Sequence, residues 1–251
     1  MYKRQPNNSA RDLVRTKSDA VGLVVRGVSN PFYTDIIRAI ERTITDAGFT
    51  MVMQQIGTCD DEVKCGAVME REKRLQGIVF LGGRFDYTPA DLAMLNVPFV
   101  CCSYSNRYGT LIEGEYSSVS IADGDTAQQA VEELYRHGHR RIAALISRPN
   151  DQSISQLRYE GYVQALESHG IPVDPELVIS TGGFSAKDAY RAVQEKMAEN
   201  VDFTALFAIA DSMAIGAMRA LMDAGRRIPE DCSVIAIDGF CLLYTSPSPR
   251  D

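Results

Sequence analysis

The chain has 251 residues, 45% of them hydrophobic and 24% charged, and a formal net charge of −7. That length holds one large or two mid-sized domains, and the composition is that of a globular α/β protein. No apolar run approaches the roughly 20 residues that cross a bilayer, and the start of the chain lacks the apolar core of a secretory signal. A cytoplasmic location is therefore expected. An acidic body without a basic patch excludes nucleic-acid binding except through a separate element.

Taken in order, the first apolar run is DAVGLVVRG (19–27). A helical pattern follows over 32–47, where Phe32, Ile36, Ile37, Ile40, Ile44 and Ala47 recur at three-to-four spacing on one face. Strands are expected at 50–56, 77–82, 98–103 and 118–122, with a helical stripe over 60–74. The second half repeats the alternation. Strands are expected at 140–147, 176–181, 204–210 and 232–238, and helices at 125–137, 155–169, 186–199 and 212–224. Gly48, Gly138, Gly170 and Gly225 stand where helices end.

Several of these strands are continuous apolar runs, which suits parallel strands covered on both faces. Strand–helix alternation at this spacing means right-handed βαβ units. The expected fold is α/β, with two doubly wound parallel-sheet subdomains over 18–137 and 138–240 and the seam at LYRHGHRRIAALIS. In such sheets ligands bind off the carboxyl ends of the strands, which places the expected site in a cleft between the subdomains.

Motifs of catalysis are missing. The sequence has no P-loop, GxGxxG or GxSxG, and LGGRFD (81–86) reads as a loop. The six cysteines form no CxxC pair, and Cys101 and Cys102 in PFVCCS read as small buried hydrophobes. The three histidines make no metal or triad pattern, so no enzyme, no metal and no cofactor is expected.

Four blocks in fixed order carry a resemblance: PNNSARDLVRTKSDAVGLVV with NPFY, then HGHRRIAALIS, LRYEGYVQAL, and FTALFAIADSMAIGAMRALMDAGRRIPEDCSVIAIDGF. Over residues 6–240 the chain resembles the LacI/GalR family of bacterial transcription regulators. The resemblance implies a two-lobed effector-binding domain of the periplasmic-binding-protein kind, a hinge helix and a helix-turn-helix. The effector it implies is a sugar or sugar derivative, and the implied partners are operator DNA and a second copy of the chain. A periplasmic sugar-binding protein of a transporter shares the fold and is the alternative, which the hinge block disfavours.

Residues can be carried over motif by motif. Pro6, Asn7, Ala10, Arg11 and Leu13 match the hinge helix, where the leucine wedges between base steps in the minor groove. Asp12 departs from that pattern, since phosphates repel it. The effector set implied is Phe32 and Tyr33, Asp123 and Asp125, Arg158, Phe184 and Asp238. Arg158 would hold hydroxyls or carboxylates with its planar fork, Asp238 would accept from hydroxyls, and Phe184 would stack on a ring. The register leaves open whether Asp123 or Asp125 faces the site, and either could instead cap a helix. The family often has Asn-Asp where this chain has Ala210-Asp211, and Asp211 is expected to be the N-cap of the following helix.

Both ends change character. MYKRQ (1–5) and CLLYTSPSPRD (241–251) read as translated sequencing adapter. Residues 6–17 would then be a partial hinge and linker, and the second subdomain would be C-terminally incomplete.

Overall fold

The computed structural model of the protein describes residues 18–27, 32–57, 60–112, 114–150 and 152–239. These residues form two compact units, one of 18–27 and 35–120, the other of 32–34 and 121–239. The hinge block and both end segments lie outside the described residues.

The first unit has a parallel sheet of β1 (Ala20–Arg26), β2 (Thr50–Ile56), β3 (Gly77–Leu81), β4 (Phe99–Cys102) and β5 (Ser117–Val119), in the order β2-β1-β3-β4-β5. Flanked on both sides, β1 buries Leu23, Val24 and Val25 completely, whereas the edge strand β2 leaves Met53 exposed. Helices α1 (Phe32–Asp46) and α2 (Glu62–Lys73) fall where the apolar periodicity places them. A short helix, α3 (Pro89–Leu92), was not expected. It is set by a capping box in which Thr88 Oγ1 accepts from the Asp91 amide while the Asp91 carboxylate accepts from the Thr88 amide. Cys101 is buried, and burial pushes its thiol up to about 12, in keeping with a hydrophobic role.

The second unit has β6 (Ile142–Ile146), β7 (Val178–Ser180), β8 (Ala205–Ala208) and β9 (Ser233–Ala236) in the order β7-β6-β8-β9, again all parallel. The two inner strands, β6 and β8, bury every residue. Their apolar faces meet α4 (Asp123–Arg136), α5 (Ile154–Ser168), α6 (Ala186–Ala198) and α7 (Asp211–Asp223) in one core that includes Leu145, Tyr162, Leu206 and Phe207. Each such buried side chain contributes about 1.5–3 kcal/mol. The Tyr162 hydroxyl, carried into this core, donates to the Ile142 carbonyl at 2.9 Å.

The seam differs from the expectation. It lies at 120/121 rather than 137/138, so α4 belongs to the second unit. The cause is packing: Ala127, Val131 and Leu134 of α4 join the second core and α4 runs along α5. Strand–helix alternation alone cannot assign a crossover helix to the sheet before it or the sheet after it. Among the described residues no helix is long and apolar enough to cross a membrane.

Two helix contacts are closer than side chains allow. A Cβ on Gly161 of α5 would stand 2.1 Å from the Gly124 carbonyl oxygen of α4, and one on Gly216 of α7 would stand 2.0 Å from the Ala186 carbonyl oxygen of α6. Both obstacles are backbone atoms, so the helices themselves must move. Gly161→Ala and Gly216→Ala are each expected to cost about 1–3 kcal/mol, read as a lower urea midpoint at unchanged slope.

Candidate functional site

A doubly wound sheet binds ligands where its strand order reverses. In the second unit that point lies between β6 and β8, and the residues just past the strand ends are Ser147, Ile209 to Asp211, and Asp238. Ser153 caps α5 by accepting from the Ser155 amide, and Ser155 Oγ in turn accepts from the Ser147 amide at 3.1 Å. This ties the start of α5 to the end of β6. One turn further on, Arg158 lies on the buried face of the helix with its side chain 3% exposed.

Three elements deliver partners to that guanidinium. Nε donates to Asp123 Oδ1, in the first turn of α4, at 2.9 Å. Nη1 donates to the Ile209 carbonyl at the end of β8 and lies 3.4 Å from Asp238 Oδ1, beyond β9. Asp238 has a φ of +116°, a region L-residues rarely occupy and that costs about 1–3 kcal/mol. Its side chain is 1% exposed, and its second oxygen, Oδ2, is buried without a hydrogen-bond partner.

Charge decides the character of the cluster. Burial pushes Asp238 up to about 6, with Arg158 opposing and the carboxylate of Asp211 adding to the rise. Asp123 is also raised, because burial outweighs its pairing with Arg158. Asp211 is itself buried, so the guanidinium meets two buried carboxylates while a third presses on one of them. Among the described residues no group of three or more His, Cys, Asp or Glu side chains is arranged to hold a metal ion.

The residues implied by the resemblance separate here. Asp123, Arg158 and Asp238 converge, all three side chains buried. Asp125, two residues from Asp123, is exposed on α4. Neither aspartate caps α4, whose N-cap is Ala122. Phe184 is half-buried against the second core, and its carbonyl accepts from Ser212 Oγ at 2.7 Å, an anchoring role. Phe32 and Tyr33 open α1, half-buried, with ring centroids 6.0 Å apart. Asn7, Ala10, Arg11 and Leu13 lie outside the described residues.

Asp211 corrects an expectation. It is the first residue of α7, the N-cap being Ala210, and its carboxylate acts on Asp238. The signal was present in FAIADSMAIGA: an aspartate between a fully apolar strand and an apolar helix start is buried, not a solvated cap. Glu62 was missed as well. It fills the strand-order reversal of the first sheet, between β1 and β3, where Oε1 accepts from the Arg84 amide at 2.7 Å and Oε2 lies 3.8 Å from Arg26 Nε. Burial raises it too.

Removing the one cation exposes the balance. Arg158→Met leaves Asp123 and Asp238 buried without a counter-charge, which costs about 3–5 kcal/mol at pH 7.5. The loss should shrink at pH 5, where the orphaned carboxylates take up protons, and denaturant unfolding at the two pH values measures it.

Comparison with known proteins agrees with this architecture. Residues 18–247 match the family model described as periplasmic binding proteins and sugar binding domain of the LacI family. The HTH-type transcriptional regulator MalR of Clostridium butyricum is 37% identical over 238 residues, covering 93% of this chain and 70% of that protein. The HTH-type transcriptional repressor CytR of Escherichia coli K12 is 30% identical over 244 residues, covering 97% and 70%. Among solved structures, a complex of the transcriptional regulator CelR with cellobiose superimposes with a TM-score of 0.73 at 29% identity, covering 91% of this chain and 71% of that one. These relatives are regulators rather than transport proteins, and the chain belongs to the LacI family of transcriptional regulators, whose effector-sensing domain it carries.

Proposed function

We propose that the chain senses a small uncharged saccharide at the carboxyl edge of its second sheet and passes that state to operator DNA. The observation that carries the reading is Asp238 Oδ2: a buried carboxylate oxygen with no partner, held past a strand end in a costly backbone conformation. A ligand hydroxyl donating there would satisfy it, and Arg158 would offer the complementary donor. Phe184, Phe32 and Tyr33 would supply apolar faces for a sugar ring. The site would act as a receptor in a cytoplasmic regulator, a reading supported by relatives named as transcriptional regulators.

Regulation would follow from population shift. A ligand that binds one conformation of the sensor better than another displaces the equilibrium. In an intact homodimer, the hinge residues Asn7, Ala10, Arg11 and Leu13 would read that displacement on DNA. Coupling of about 1–3 kcal/mol changes operator affinity roughly 5–150-fold. The hinge match and the names of the relatives support this arrangement.

The test is calorimetric. Titration with cellobiose and a set of neutral mono- and disaccharides should find a binder, and Asp238→Ala should weaken it by roughly 10–150-fold, the loss of a hydrogen bond to a charged acceptor. Unchanged affinity in that variant would place the sugar elsewhere.

A further inference from the structure

We propose that the cluster of Asp123, Arg158, Asp211 and Asp238 stores one proton while empty and releases it when a hydrogen-bond donor of a ligand reaches Asp238, which makes ligand affinity in this unit pH-dependent. The second half rests on the reading of Asp238 as a ligand acceptor given above. The first half stands on the protein alone.

Two buried carboxylates, Asp123 and Asp238, share the one guanidinium of Arg158, and the carboxylate of Asp211 presses on Asp238 as a like charge. Arg158 commits Nε to Asp123 and divides Nη1 between the Ile209 carbonyl and Asp238 Oδ1. Asp238 Oδ2 receives nothing, although the side chain is 1% exposed. Fully ionised, the cluster would keep an uncompensated excess of negative charge inside the protein, which is costly in a medium of low polarisability. One proton removes most of that cost. Asp238 is where it resides, because its buried Oδ2 has no donor and the like charge of Asp211 presses on it; its titration is accordingly pushed up to about 6.

Ligand binding then exchanges one proton source for another. A hydroxyl or ammonium group donating to Oδ2 stabilises the ionised form, and the acid proton of Asp238 passes to solvent, so that protonated site plus ligand gives ionised complex plus one proton. By linkage, affinity rises with pH, up to tenfold per unit below about pH 6, and becomes flat above it. The empty protein shows the converse. A carboxyl whose folded value lies above its unfolded value of about 3.9 stabilises the fold most at low pH, and that contribution is lost as pH rises from about 4 to about 6.

Two measurements test this on the full chain. First, the thermal midpoints of wild type and Asp238→Asn are followed from pH 4 to 7.5. The wild-type midpoint should fall relative to the variant as pH rises toward 6 and then run parallel to it, and Asp211→Asn should move the bend to lower pH by removing the repelling charge. Curves parallel throughout in both variants overturn the proposal. Second, cellobiose is titrated in buffers of different ionisation heat. Release of roughly one proton per bound molecule near pH 5.5 and none near pH 8 is expected, whereas binding without buffer dependence overturns the coupling. If the midpoints diverge as described but neither cellobiose nor any other neutral saccharide binds, the stored proton stands and the saccharide reading of the site falls.

Discussion

A guanidinium held inside a protein must be met on several sides at once, and in the second unit that requirement organises the carboxyl edge of the sheet. Arg158 draws together the first turn of α4, the Ile209 carbonyl just past β8 and Asp238 beyond β9, three places far apart in the chain. None of the carboxylates it meets could be buried there alone, since an isolated charge in the interior costs several kcal/mol. The arginine therefore sets where α4 begins relative to α5, and where the chain turns after β9. Its own position is fixed from behind by the Ser147–Ser155 hydrogen bond, which locks the start of α5 to β6.

The first unit gives a useful contrast. Its sheet reverses strand order in the same way, and a buried carboxylate, Glu62, fills the equivalent crevice. There, however, the carboxylate accepts from the backbone amide of Arg84 in the loop after β3, so the crevice is tied to its own loop. In the second unit an oxygen of Asp238 is left over. Glu62 Oε2 likewise has no hydrogen-bond partner, so both units bury a carboxylate with one oxygen over and differ in what holds the other, a loop amide in the first and the Arg158 guanidinium in the second.

Much of this was legible in the residues. The parallel sheets followed from continuous apolar runs such as IAALI and ALFA, which have no solvent face to spare. The helices followed from periodicity and from glycines such as Gly138 and Gly170, which take φ of +92° and +68° just past α4 and α5. Arg158 and Asp238 came from motif resemblance, not from periodicity, and their convergence with Asp123 is a tertiary fact no local pattern contains. The seam was misplaced because α4 has an apolar face that either sheet could have covered. Asp211 was misread because N-capping is a local rule, while its place is set by a distant segment, the Ile237 carbonyl beyond β9, which accepts from its amide. Glu62 escaped because a glutamate at a helix start looks solvated until the loop after β3 folds across it.

Gly161 carries a consequence beyond packing. It lies three residues from Arg158, and the carbonyl it nearly touches belongs to Gly124, the neighbour of Asp123. The reach of a short aspartate to the arginine therefore depends on two helix backbones lying almost in contact. A methyl group at 161 would lengthen the 2.9 Å pair without altering any charged residue. An uncharged position thus acts as a tuning screw for the electrostatics of the cluster, worked by a single buried carbon while every polar residue is kept.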